Sequence, residues 1–273
     1  MKKIVNNALK ALLYEVVALP KPGLVDPADN GSHLDMNVYT FIDSSLALEP
    51  YLENAANIGE NFIEDDLTKM FAELRQAGIA AEKDMLDATN GINTHKGAIF
   101  SLGIFVCAQS YAKKNNVNIF NVIRKMCHNL VKNDFTKIDY QNITAGEKQY
   151  LKYKLGGVRQ LAQDGYPVVE YDSLPYLKNA SGKLNEQLLD TLMLLATKVD
   201  DTTFIKRSGD AKKLAWLHQV SQLYLDKGGS QTIQGRKYLN QLSLIFKKNN
   251  YSIGGCADLL IVTIFMALEE NYL

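Results

Sequence analysis

Apolar residues return at three- and four-residue spacing through almost the whole chain, and runs that alternate apolar with polar are scarce. The first pattern lines one face of a helix; a half-buried strand needs a period of two. Ala8 to Leu19 carries Leu9, Leu12, Leu13 and Val16 on one side and stops at Pro20, because the residue before a proline is pushed out of the α region. Asp35 reads as the N-cap of a helix from Met36 to a bend near Pro50, and Asp65 to Thr89 as one or two helices with Gly78 a possible break. Further helices are predicted behind Asn93 or Thr94, over Ile119–Val131, after a Thr144–Glu147 capping box, over Arg159–Gln163, Leu184–Val199, from Asp210 to Leu225, over Gln231–Lys248 and over Cys256–Leu268. Pro167 to Tyr171 is the best strand candidate and is short. The fold expected is a single all-α domain over residues 1–273, with roughly ten to twelve helices at the usual helix length.

Composition narrows the function. The 273 residues suffice for a sizeable core. Lys plus Arg and Asp plus Glu both number 30, so the basic excess of a nucleic-acid protein is absent, although a local basic pocket for a small anion is compatible. Cys107, Cys127 and Cys256 form no C-x-x-C pair, which points to a reducing, cytoplasmic compartment. Glu15 interrupts the apolar run after the basic start, and we read no signal peptide. The strongest apolar run, Leu259 to Leu268 between Asp258 and Glu269, is too short to cross a bilayer and reads as a core helix.

The chemistry concentrates in polar, glycine-bearing loops between apolar helices: Lys21–Asp35, Asn93–Lys96, Arg159 with Gly156 and Gly157 before it, Asp200–Arg207 and Ser252–Asp258. Free N–H groups at a helix start, its positive dipole end and Lys96 together suit a phosphate, and a solvated lysine is the bland alternative. Lys21, Lys96, Arg159 and Arg207 are the cations available to a polyphosphate. Asp26, Asp35, Asp200, Asp201 and Asp258 are the carboxylates available to Mg²⁺, with helix capping the alternative for Asp35, Asp210 and Asp258. His33 and His95 have no partners at zinc spacing, and His128 and His218 read as ordinary helix residues. Glu15, on an apolar helix, reads as a satisfied buried acid. No P-loop, dinucleotide fingerprint, H-E-x-x-H or G-x-S-x-G occurs.

Taken in order, the loops resemble a known family. Glu15-Val16, Pro20-Lys21-Pro22-Gly23-Leu24-Val25-Asp26, Asn30-Gly31-Ser32-His33 and Asp35-Met36 are similar to the N-terminal signature of the triphosphoribosyl-dephospho-CoA synthases. The likeness continues through Gly91, Asn93-Thr94-His95-Lys96-Gly97, Thr144-Ala145-Gly146-Glu147, Asp201-Thr202, Arg207 and Gly209 to Ser252, Gly254-Gly255 and Ala257-Asp258-Leu259-Leu260. The resemblance implies a transferase that joins ATP to 3′-dephospho-CoA and releases adenine. Its product is the prosthetic-group precursor for the acyl carrier subunit of citrate lyase or malonate decarboxylase, loaded by a downstream transferase. Within that frame Lys96 and the N–H groups behind Asn93, Thr94 and His95 bind phosphate, with Lys21, Arg159 and Arg207 assisting. Gly254-Gly255 seats a second phosphate. Asp35 and Asp201 are the choices for base or metal ligand, with Asp26 a further Mg²⁺ ligand. Small-molecule substrates are the expected partners, with no membrane and no nucleic acid, and a homodimer is left open.

The chain departs from the family pattern in places. Leu161 stands where a carboxylate is usual, Ile253 for a proline, Cys256 for a serine, and Arg207-Ser208-Gly209 for a double glycine. These departures keep two other readings open: a Mg²⁺-dependent nucleotide N-glycosidase or phosphohydrolase, and a nucleotide-binding paralogue with impaired catalysis.

Overall fold

The computed structural model describes residues 1–136, 138, 143 and 145–273. Its α-helices are α1 (Lys2–Val17), α2 (Val38–Ala47), α3 (Glu49–Asn61), α4 (Leu67–Ala88), α5 (Lys96–Asn115), α6 (Ile119–Met126), α7 (Leu130–Phe135) and α8 (Ala145–Tyr153). They continue as α9 (Gly157–Gln163), α10 (Leu174–Asn179), α11 (Leu184–Lys198), α12 (Thr202–Ser208), α13 (Leu214–Asp226), α14 (Ile233–Asn249) and α15 (Gly254–Glu269). No strand occurs among the described residues. The all-α expectation holds, and short helices such as α7, α9, α10 and α12 raise the helix number above the expected one.

Two helices are buried on nearly every side. α5 buries Ala98, Ile99 and then Ser101 through Ser110 without a break, and packs against α3, α4, α6 and α15. α15 buries Leu259 through Glu269, and packs against α1, α5 and α11. The main core forms around this pair, and a smaller cluster of Leu189, Met193, Tyr224, Leu239 and Leu242 lies under α11, α13 and α14. Centring both helices in the core fixes where their N-terminal ends emerge, and those ends build the site.

Local chemistry moves several boundaries. α1 begins before Ala8 because Ile4 and Val5 extend its buried face. α2 is capped by Asn37 rather than Asp35: Asn37 Oδ1 accepts from the Tyr39 and Thr40 N–H groups, and Thr40 Oγ1 accepts from the Asn37 N–H, a complete capping box. α4 runs unbroken through Gly78. The Ile119–Val131 helix divides at Asn129, which has φ +58°. The expected strand at Pro167–Tyr171 is instead the approach to a π-helical turn over Val169–Ser173. There the Val169 and Glu170 N–H groups both donate to the Tyr166 carbonyl, which buries Val168 and Val169. The capping box expected at Thr144 lies outside the described residues.

Candidate active site

A cavity of about 820 Å³ opens where the N-terminal ends of α5, α12 and α15 meet the loop between α1 and α2. Its size suits a nucleotide-sized ligand. Of the residues predicted from sequence, Lys21, Asp35, Asn93, Thr94, His95, Lys96, Asp201, Arg207, Gly254 and Gly255 all line it. Asp26 and Arg159 do not.

The loop after α1 explains both Asp26 and Lys21. Asp26 Oδ2 accepts from the Lys21 N–H at 3.1 Å, and Oδ1 accepts from the Ala28 and Asp29 N–H groups at 2.8 and 2.9 Å. Its carboxylate is therefore spent on the turn it folds, not turned to the cavity. The fixed turn carries Lys21 inward, where Nζ donates to Glu15 Oε1 and to the Glu15 carbonyl, both at 2.6 Å. Lys21 thus reaches the cavity wall as half of a buried ion pair, and Glu15 is the satisfied buried acid its place on an apolar helix suggests.

At the head of α5, His95 is the N-cap residue and makes no side-chain cap bond. Asn93 Oδ1 accepts from the Lys96 N–H at 3.3 Å. Thr94 Oγ1 donates to Ser44 Oγ at 2.7 Å, and Ser44 Oγ lies 2.6 Å from His95 Nδ1. Lys96 is largely exposed and pairs with Glu82 at 2.6 Å. Burial, with the Lys21 charge adding to it, pushes the His95 pKa down to about 3, so the imidazole is neutral.

The loop into α12 and the start of α15 hold two acids with different duties, Asp201 buried and Asp258 half-buried. Asp201 caps α12: Oδ1 accepts from the Phe204 N–H at 2.9 Å, while Oδ2 accepts from the Cys256 N–H of α15 at 2.8 Å. One carboxylate therefore ties two helix starts together. Gly255 lets them approach, since a Cβ there would stand 3.0 Å from Asp201 Oδ2. Asp258 has no hydrogen-bond or ion-pair partner among the described residues and lines the cavity. Its carboxylate lies against the first turn of α5, where a Cβ on Gly97 would come within 1.9 Å of Oδ2. Burial raises its pKa well above the usual carboxylate range, and the neighbouring Asp201 and Glu15 charges push the same way.

Other cations surround the cavity, most of them already engaged. Arg207 Nη1 donates to Asn250 Oδ1 at 2.8 Å and the Ser32 carbonyl at 3.2 Å, and Nη2 to His33 Nδ1 at 3.1 Å. Lys198 pairs with Asp172 at 2.8 Å, whereas Lys206 has no partner among the described residues. Arg159 is not among the residues that line the cavity; its Nε lies 2.6 Å from Asp134 Oδ2 and its guanidinium over the Phe135 ring. Asp134 also takes Arg75, so its carboxylate is held below the usual range despite burial. Leu161 lines the cavity and gives it an apolar wall where the family pattern has an acid.

No group of three or more His, Cys, Asp or Glu side chains among the described residues is arranged to hold a metal ion. The set Asp26, Asp35 and Asp201 is thus not assembled, because Asp26 and Asp201 serve backbone N–H groups. Sequence reasoning missed Ser44, which only the packing of α2 against the head of α5 brings to His95, and Gln149, which lines the cavity and donates to the Thr202 carbonyl at 2.7 Å. Nothing in the local pattern around either residue signals these contacts.

A family model described as CitG, ATP:dephospho-CoA triphosphoribosyl transferase, matches residues 1–273. Protein CitXG of Leuconostoc mesenteroides subsp. cremoris is 52% identical over 273 residues, which is 97% of this chain and 58% of that longer protein. A probable 2-(5''-triphosphoribosyl)-3'-dephosphocoenzyme-A synthase of Lactiplantibacillus plantarum is 46% identical over 276 residues, covering 100% of this chain and 99% of that one. A protein of the same name from Streptococcus equi subsp. equi is 36% identical over 286 residues, 97% of this chain and 96% of its own. No solved structure matches the chain. A match over the full length, with relatives alike from end to end, shows that the chain belongs to the CitG family, the ATP:dephospho-CoA triphosphoribosyl transferases.

Proposed function

We propose that this cavity is where the transfer takes place: the ribose 2′-hydroxyl of 3′-dephospho-CoA attacks C1′ of the ATP ribose, adenine departs, and the triphosphate is retained. The observation that carries the reading is Asp258, a half-buried carboxyl with no partner among the described residues, on the cavity wall beside the head of α5. Its raised pKa makes the carboxylate a stronger proton acceptor than an ordinary one. Asp258 takes the proton of the attacking hydroxyl as the new O–C1′ bond forms and the C1′–N9 bond breaks. Its negative charge also stabilises the oxocarbenium character that develops at C1′, as carboxylates do in glycoside chemistry. Asp258 therefore takes the base role for which Asp35 and Asp201 are the sequence choices. Asp201, with both oxygens on backbone N–H groups, acts as a positioning residue.

The heads of α5 and α15, with Lys96, Lys206 and Arg207 around them, suit two phosphate-bearing substrates. Since triphosphate is kept, these groups position it and do not cleave it. Mg²⁺ fits this donor set in its usual mode, with one or two carboxylates and substrate phosphates; Asp35 and Asp200, both exposed on the cavity wall, would hold it and supply charge neutralisation. Three buried free cysteines fit the cytoplasm, and no helix among the described residues is long and apolar enough to cross a membrane. The product passes to the transferase that loads the acyl carrier subunit of citrate lyase or malonate decarboxylase.

The test is a chromatographic assay with ATP, Mg²⁺ and 3′-dephospho-CoA that follows free adenine and the mass of the CoA product. Equal amounts of adenine and of a coupled product carrying all three phosphates establish the reading. Adenine without a coupled product indicates hydrolysis, and ATP binding without adenine indicates a binding protein.

A further inference from the structure

His95 is buried to 1% exposure, lines the cavity, and leaves Nε2 without a hydrogen-bond partner. Leaving a buried polar atom unpaired is costly, and native proteins seldom do so without a function. The bonds around it favour one tautomer. Thr94 Oγ1 donates to Ser44 Oγ, so the single Ser44 proton is free to go to His95 Nδ1. Nδ1 is then the acceptor and Nε2 carries the hydrogen, fixed by the partner of the other nitrogen. The ring therefore offers a neutral N–H donor. Phe41 meets the imidazole edge-on at 5.0 Å, and Val25 and Met36 are apolar members of the lining of the same cavity. The Lys21 charge beside it opposes a second proton. A neutral donor matches a neutral heterocycle better than a phosphate, which would favour an imidazolium.

We propose that His95 Nε2–H donates a hydrogen bond to a ring nitrogen of the ATP adenine and so activates it as the leaving group. This rests on the reading of the cavity as the transfer site. As the C1′–N9 bond breaks, its electron pair stays on adenine, and the N–H donor stabilises the charge that builds there without giving up its own proton. The proton released by the 2′-hydroxyl to Asp258 is the one adenine finally carries, so the step balances with no other reagent. Ser44 and Thr94 are positioning residues that hold the tautomer.

The test compares ATP with 3-deaza-ATP and 7-deaza-ATP in wild type, His95→Leu, His95→Gln and Ser44→Ala, each checked for folding by circular dichroism. His95→Leu is expected to lower kcat about 100-fold, the usual cost of one lost oxyanion-type donor, with the Kd for ATP changed less than about threefold. His95→Gln, whose amide N–H can reach toward the same place, recovers about tenfold of that loss. One deaza analogue costs wild type about tenfold or more in kcat beyond what it costs His95→Leu, because the bond is already absent in the variant. If His95→Leu does not fold, Ser44→Ala keeps the ring and decides the matter by the same comparison, its analogue penalty falling below that of wild type. Equal analogue penalties in wild type and variants overturn the proposal, as does a His95→Leu defect that appears only as weaker inhibition by tripolyphosphate. If wild type itself releases no adenine from ATP, the transfer reading has failed and the proposal falls with it; adenine release with equal penalties sinks the His95 role alone.

Discussion

Lys21 Nζ lies 2.6 Å from Glu15 Oε1, with none of the Lys21 side chain and 5% of the Glu15 side chain exposed. Two buried charges at this distance depend on each other, because removing one leaves the other uncompensated. Lys21→Met or Glu15→Leu alone is expected to destabilise the fold by about 3–5 kcal/mol, while the double replacement costs far less. Urea unfolding of the three variants checks this, and additive losses would show that the pair is not coupled.

Asp258→Asn separates activity from stability. Loss of the base should lower kcat by about 10²–10⁴-fold. A carboxyl whose folded pKa is raised holds a proton that the unfolded chain has lost, so it weakens the fold increasingly as pH rises from the usual carboxylate range through its raised folded value. Asparagine has no charge to bury. The variant should therefore melt higher than wild type at pH 8, by up to about 2 kcal/mol of added stability, and the difference should shrink toward pH 4. A lower melting temperature at pH 8 would contradict the assignment.

His95 gives the opposite slope. With its pKa pushed down to about 3, the folded chain refuses a proton that the unfolded chain takes at the ordinary value near 6.5. Its contribution is complete above the unfolded value and is lost as pH falls toward the folded one. Between about pH 6 and pH 5, against the opposite slope of Asp258, His95 alone should lower the stability of wild type by up to about 1.4 kcal/mol per unit. His33, lowered by burial and then by Arg207, adds to the same slope. The difference between wild type and His95→Gln in denaturant titrations isolates the His95 part, and identical slopes would count against a neutral buried imidazole.

Lys96→Ala should act on ligand and not on fold. The lysine side chain is 56% exposed and its pair with Glu82 lies at the surface, where such pairs contribute about 0–1 kcal/mol. Stability should be nearly unchanged, while the Kd for ATP rises about tenfold, the equivalent of about 1.4 kcal/mol. Calorimetric titration of the folded variant measures this, and an unaltered Kd would remove the phosphate role at the head of α5.

Much of the architecture was legible from local signals: a first helix that ends ahead of Pro20, at Val17, the helix behind Asn93, the last helix as a core helix, and Asp210 as a cap, which accepts from the Lys212 N–H at 2.9 Å. The loops that line the cavity were also visible as glycine-bearing polar segments. What the pattern could not carry is how each charge is used. Arg159 and Lys21 look alike as loop cations, yet one is drawn to Asp134 and the other to Glu15 by contacts between separate elements. Asp201 and Asp258 both sit near helix starts, and only the meeting of α12 with α15 gives Asp201 two N–H groups and leaves Asp258 none. The strand expectation failed because Pro167–Tyr171 is equally apolar in either period, and burial against the core selected the helical one.

Most cations around the cavity already hold partners: Lys21 has Glu15, Lys96 has Glu82, Lys198 has Asp172, and Arg207 has Asn250 and Ser32. A ligand that meets only one of them trades one bond for another and gains little. A ligand long enough to engage several at once draws on Lys206 and the helix heads as well, and each further exchange no longer has to overcome the entropy of a separate encounter. If the cavity is the transfer site, its selectivity rests on the length of the phosphate chain more than on any single cation.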